Sequence, residues 1–401
     1  MRFLSFVLLA LLFAGNAFAQ KKEISQARSY IKSRSSLDKA ESSMRDLLKD
    51  SANRRNIRIY STLADAVKAQ YEQANEILYL KKKADTAAFF KVARKMFLAC
   101  ESLDSIDMLP DKKNKVKLRF RKKNSEYLDT YRRNLYAGGV YFMRNGDFVT
   151  AYDMFDTYID CRKQPLFSDY AAVNADSLYA SSAFWAVFCG FKSGNPQQVL
   201  KYIDLALMNK KRRRHVWIYL SRAYLQMADT LKYVETLHNG FAENKRSRYF
   251  FTRLIDYYND GNKLDSAMMV VDAALADDKD NNLFLFAKSN LLLNMGKYAE
   301  CIEISDTLLA RNDTLPDVYL NAGVSYINMA LALETDVKTR KSKRKEILGY
   351  YRKALPYMEK YRAMKPDDKE RWAQSLYNIY LKLNMGRKFE EVSEILRKMR
   401  E

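Results

Sequence analysis

Residues that make turns are scarce in this chain. Its 401 residues include only 12 glycines and 6 prolines, where an average protein carries roughly 12% of the two combined. An all-β sandwich or a loop-rich α/β enzyme needs more turn chemistry than that. Histidine occurs only 2 times, which starves most metal and acid–base chemistries. There is no HExxH, GxSxG, Walker loop or GxGxxG, so no catalytic, metal or cofactor-binding residue is expected and the chain is not expected to be an enzyme. Long apolar runs are missing too. The densest, Ala183 to Phe191, is far short of the ~18–20 residues of a membrane span, so none is expected in the mature chain. What is present is 48% hydrophobic and 13% aromatic residues, which excludes global disorder. The length allows two to four domains or one continuous repeat array.

The first nineteen residues have the layout of a secretory signal peptide: the positive Met1-Arg2, an apolar run from Phe3 to Phe13, then Ala17-Phe18-Ala19 as a small-x-small site. Cleavage is expected after Ala19, and the product is expected to be exported, most readily to a periplasm. The four cysteines, Cys100, Cys161, Cys189 and Cys301, fall on apolar helix faces and are expected as buried thiols. A Cys161–Cys189 bridge is the main alternative.

Internal similarity is the strongest signal. From Arg132 the chain runs through Leu135, Gly138-Gly139 and Tyr141-Phe142 to Gly146-Asp147-Phe148, then Ala151, Phe155 and Tyr158. That is an apolar-periodic helix, a tight turn and a second such helix. Small residues at Gly139 and Ala151 allow close approach, with Phe142, Phe148 and Phe155 filling the space around it. Units begin near 132, 180, 214, 247, 282, 316 and 370, with turn positions assigned to Gly146, Gly194, Ala228, Gly261, Gly296 and Gly386. The central steps are 34, 33, 35 and 34 residues, and insertions lie near 160–178 and 333–349. Pro356 is expected to kink or delay its helix.

This pattern resembles the tetratricopeptide repeat family, whose unit is a 34-residue helix–turn–helix. The likeness is best from Leu135 to Tyr158. It is equally good at Tyr319, Ala322-Gly323 and Tyr326 followed by Tyr351, Ala354, Met358 and Pro366. The chain also resembles exported bacterial proteins of this family. The resemblance implies an all-α, right-handed superhelical solenoid of antiparallel helix pairs over 132–401. Residues 20–131, also apolar-periodic from Ile24 to Cys100, are expected as an irregular helical cap. Residues 390–401 are expected to cap the other end.

Positive charge exceeds negative by 21, and the excess is local. Lys81–Lys83 is one basic run. A second, over 112–123, holds Lys112, Lys113, Lys115, Lys117, Arg119, Arg121, Lys122 and Lys123, and a third Lys210, Lys211, Arg212, Arg213 and Arg214. The fourth includes Arg340, Lys341, Lys343, Arg344 and Lys345. The third run falls between repeats and the fourth within one, on opposite edges of a solenoid, so they make no single track and nucleic acid is not the expected partner. Asp277–Asn282 looks superficially like a calcium loop but lacks its central Gly and final Glu; helix capping is expected there.

In the family, the first helix of each unit lines a groove that binds peptides. By register, the groove-facing residues would be Tyr136, Phe184, Phe188, Arg222, Phe251, Phe286, Asn290, Asn294, Asn328 and Asn378. The Lys/Asn pattern of the family's carboxylate clamp is not present. The expected function is an exported scaffold for protein–protein interaction in the cell envelope. The alternative is a binder of anionic lipid or polysaccharide through the basic loops.

Overall fold

The computed structural model describes residues 20–80, 82–83, 85–111, 113–168, 178–335 and 341–401. The expected signal peptide lies outside the described residues, as do Lys81, Lys112, Arg340 and much of both insertions. Among the described residues the regular structure is entirely helical, as expected.

The chain divides into two compact units, Met1–Tyr233 and Val234–Glu401. The first unit opens with α1 (20–33), α2 (Leu37–Leu47), α3 (Ile57–Tyr79) and α4 (Thr86–Asp107), with α3 packed on both α2 and α4. A single helix, α5 (Arg121–Tyr131), precedes the next pair, α6 (Arg133–Arg144) and α7 (Phe148–Asp160). Then come α8 (Tyr179–Lys192) and a second helix broken at Tyr202 into α9 (Pro196–Lys201) and α10 (Ile203–Leu207). Helix α11 (Arg213–Gln226) follows, and the division falls inside α12 (Thr230–Glu243). The second unit continues with α13 (Arg248–Asp260), α14 (Leu264–Asp277), α15 (Asn282–Asn294) and α16 (Tyr298–Arg311). Its last pairs are α17 (Pro316–Thr335) with α18 (Arg344–Met364), and α19 (Lys369–Lys382) with α20 (Gly386–Lys398). First helices therefore start within about a residue of every unit start read from the sequence.

The turns show why the pairs recur in register. In six of them one residue adopts a left-handed conformation two positions before the second helix: Gly146, Gly194, Ala228, Asn262, Gly296 and Asn384. The next backbone N–H then bonds five residues back, as in Asp147 to Phe142 (3.0 Å), Lys263 to Tyr258 (2.8 Å) and Met385 to Tyr380 (2.9 Å). This is the Schellman closure, which satisfies carbonyls left open at the end of the first helix. It corrects the expected positions in two places. Gly261 and Gly386 do not hold the left-handed site; Asn262 and Asn384 do, because asparagine tolerates that region better than most side chains.

Close helix approach is built from small residues, as expected. A Cβ on Gly139 would lie 2.6 Å from the Phe155 ring, and one on Gly323 would lie 2.6 Å from Met358 sulfur. Helix α18 continues through Pro356 without a break. The proline sits on the exposed face of that helix, where water can take the carbonyl its missing N–H leaves open.

The core of the first unit runs from Ile24 to Ala223 with no break at 131/132. The expected cap and the first regular repeats thus share one apolar interior. Ile24, Ala27, Ala40, Met44, Ala64, Val67, Tyr71, Phe89, Met96 and Cys100 are all buried in it. All four cysteines are buried free thiols. Burial pushes Cys189 up to about 12, so it packs as an apolar side chain.

Candidate functional site

Helix α8 carries no charged side chain before Lys192. Its small residues Ala183, Ala186 and Gly190 are buried. A Cβ on Gly190 would meet Gln198 at 2.9 Å and the Val199 nitrogen at 3.0 Å, so this face lies close against α9. The aromatic residues Phe184, Trp185, Phe188 and Phe191 recur at three- and four-residue spacing and form a stripe on another face. Tyr219 of α11 meets that stripe. It stacks on Phe191 (centroids 4.7 Å apart, 22° between planes) and lies 5.8 Å from Phe188 and 6.3 Å from Phe184. Trp185 sits edge-on to Phe184 at 5.0 Å and to Phe188 at 5.8 Å. Phe184 is buried, whereas Trp185, Phe188, Phe191 and Tyr219 are half-buried.

Three cations lie on these rings. The Arg212 guanidinium is 4.7 Å from the Phe184 centroid and 4.5 Å from that of Trp185. Arg222 lies 5.9 Å from Phe191, and the Lys192 ammonium 5.8 Å from Phe188. All three side chains are exposed, and none has a carboxylate within ion-pair distance among the described residues. Burial pushes the Tyr219 phenol up and Arg212 acts the other way; the hydroxyl stays protonated at neutral pH. The segment 178–228 holds eight Lys and Arg residues and the single acid Asp204. A stacked guanidinium uses its flat face on the ring and keeps its N–H edge for a planar anion. The arrangement is an amphipathic, positively charged patch on first helices.

The other expected groove residues are dispersed. Phe251 is buried and packs on Phe284 at 4.5 Å. Phe184 and Phe251 are thus core residues and are corrected as direct partner contacts: burial leaves a partner nothing to touch. Half-buried Tyr136 packs on Phe155 and Tyr158. Asn290 accepts a hydrogen bond from Asn321, which also donates to Ser289 at 2.7 Å, so its carbonyl is occupied within the stack. Asn378 accepts from Gln374 on its own helix. Asn294 is exposed and Asn328 half-buried. Phe286 lines a cavity of about 260 Å³ with Leu283, Leu315 and Pro316.

The basic runs are less free than their composition suggests. Arg121 makes two hydrogen bonds to buried Asp104 (3.0 and 2.8 Å), and Arg119 pairs with fully buried Asp107 at 3.4 Å. Arg213 and Lys343 are half-buried, whereas Lys113, Lys210, Lys211, Arg214, Lys341, Arg344 and Lys345 are exposed. In the calcium-like stretch, Asn281 caps α15 by accepting from the Leu283 and Phe284 N–H groups. Asp277 and Asp280 pair with Arg246 and Arg311, each at 2.7 Å.

Trp185, Phe191, Tyr219 and Lys192 were not singled out from sequence. The signal was present as an aromatic stripe in an acid-free helix beside a basic run. No known protein family and no curated protein matches the chain. Solved structures resemble it at low identity. A tetratricopeptide repeat protein from Parabacteroides merdae is 17% identical over 66% of this chain and 97% of its own, with TM-score 0.34. One from Bacteroides fragilis is 14% identical over 66% and 98%, with TM-score 0.33. MamA of AMB-1 is 18% identical over 48% and 94%, with TM-score 0.34.

Proposed function

We propose that this chain, built of tetratricopeptide-type helix pairs, is an exported scaffold of the cell envelope that holds a protein partner on the α8–α11 patch. The repeat type rests on the 34-residue period, the recurring Schellman turns and the glycine–aromatic interlock between paired helices. Export rests on the pattern of residues 1–19. The observation that carries the binding site is the set of three ring-stacked cations that have no carboxylate partner among the described residues. Rings and arginine in a partly desolvated patch are the side chains that dominate protein interfaces.

The test is crosslinking in the intact envelope, then affinity measurement with the captured partner. Arg212→Ala with Arg222→Ala is expected to weaken binding by tenfold or more while the helical fold persists. Unchanged affinity for every captured partner would remove this patch as the site.

A further inference from the structure

We propose that the described residues of the connection between α4 and α5, 108–111 and 113–120, form a braced basic and apolar finger that docks on an anionic lipid bilayer. It bears four exposed apolar side chains within a short stretch: Met108, Leu109, Val116 (55% exposed) and Leu118 (44%). Lys113, Lys115 and Lys117 are exposed among them, alternating with Val116 and Leu118 along a stretch without helix. Lys112 lies outside the described residues and is not counted.

The exposure is not that of a loose loop. At the base, the buried Asp107 carboxylate accepts the backbone N–H groups of Arg119 and Phe120, the latter at 3.0 Å. Asp104 holds the Arg121 guanidinium beside it. At the tip, Asp111 Oδ1 accepts the N–H groups of Lys113 (2.8 Å) and Lys115 (3.1 Å), and its own N–H donates to the Lys115 carbonyl at 3.0 Å. The one acid at the tip is therefore turned onto its own backbone. Two arginines and two buried aspartates hold the ends, while lysine ammoniums and aliphatic side chains face water together.

A bilayer surface takes both kinds of group at once: ammoniums at phosphate headgroups and short apolar side chains at the acyl boundary. A purely ionic polymer would leave Val116 and Leu118 in water. A protein interface favours aromatic and arginine anchors over lysine, and those lie on the α8–α11 patch instead. No described helix is long and apolar enough to cross a membrane, so the contact proposed is peripheral.

The test is sedimentation of the full chain with vesicles of phosphatidylcholine containing one third phosphatidylglycerol, against vesicles of phosphatidylcholine alone. Binding to the anionic vesicles only, falling steeply with salt, is expected. Lys113→Gln, Lys115→Gln and Lys117→Gln together are expected to lower partitioning about a hundredfold, at about fivefold per charge. Val116→Asp with Leu118→Asp is expected to lower it at least about tenfold. Lys341→Gln, Lys343→Gln and Lys345→Gln in the other run should leave it within about threefold. The milder Val116→Ala with Leu118→Ala repeats the apolar arm if the aspartates unfold the chain, which circular dichroism reports. No sedimentation of the parent chain overturns the proposal. So does equal loss in both lysine triples, or a lysine effect without an apolar one, which indicates a polyanion instead.

Discussion

Among the cations that sit on aromatic rings, two sets of three, one from each compact unit, differ in what else they touch. In the second unit Arg362 lies 4.8 Å from Trp372 and pairs with Glu391. Arg371 lies 5.7 Å from Tyr361 and pairs with Asp317 at 2.7 Å. Lys388 lies 5.7 Å from Tyr380 and pairs with Glu359 at 2.5 Å. In the first unit Arg212, Arg222 and Lys192 make the same ring contacts without a carboxylate partner among the described residues. Stacking on a ring leaves a guanidinium's hydrogen-bonding edge unused. The Arg362–Arg371–Lys388 set is closed by acids of its own unit, and the Arg212–Arg222–Lys192 set is left for another molecule.

The largest expected effect tests whether the closed set is core and the open set surface. Trp372 is fully buried, so Trp372→Ala should cost about 3–5 kcal/mol in urea unfolding. Half-buried Trp185→Ala should cost about 1–2 kcal/mol. Equal losses would break the distinction.

The next concerns another ionisable group that the first unit leaves unpaired. Glu101 Oε1 is buried without a hydrogen-bond partner among the described residues. Burial, with Asp160 alongside, pushes its carboxyl up to about 8, and Arg94 acts the other way. A carboxyl that holds its proton more tightly when folded contributes stability that is complete below its ordinary value of 4.5. That contribution is lost as pH rises through the folded value. Stability of the first unit should therefore fall between about pH 4.5 and pH 8, on the order of a few kcal/mol. Glu101→Gln should flatten that dependence in denaturant titrations run across the range.

Removing a closed cation sharpens the contrast further. Arg371→Ala should cost about 1 kcal/mol of stability and leave partner binding unchanged, the reverse of the outcome at Arg212 and Arg222. The smallest effect comes from closing the open set. Leu225 is exposed and lies three residues beyond Arg222, so Leu225→Glu supplies the missing carboxylate. Partner affinity should fall about threefold while stability moves by less than about 0.5 kcal/mol.

The helix pairs were legible because two local signals repeat: apolar spacing along each helix, and small residues where helices touch. Gly139 against Phe155 is the clearest case. The turn register slipped at Asn262 and Asn384 because asparagine and glycine can both serve at a left-handed position, and a neighbouring glycine attracts the assignment. Burial of Phe184 and Phe251 was not legible, since a first helix packs on its own partner and on the next unit, so a second apolar face is still interior. The pairing of Arg119 and Arg121 was hidden because Asp104 and Asp107 lie a loop away on α4. Trp185, Phe191 and Tyr219 become one patch only when α8 and α11 are set side by side.

Photo-crosslinking from position 225 in intact cells tests the central claim most directly. A discrete protein adduct is expected, lost when Arg212 and Arg222 are both alanine and absent when the crosslinker replaces exposed Leu381 in the second unit. No adduct, an adduct indifferent to those arginines, or the same adduct from position 381 would contradict it.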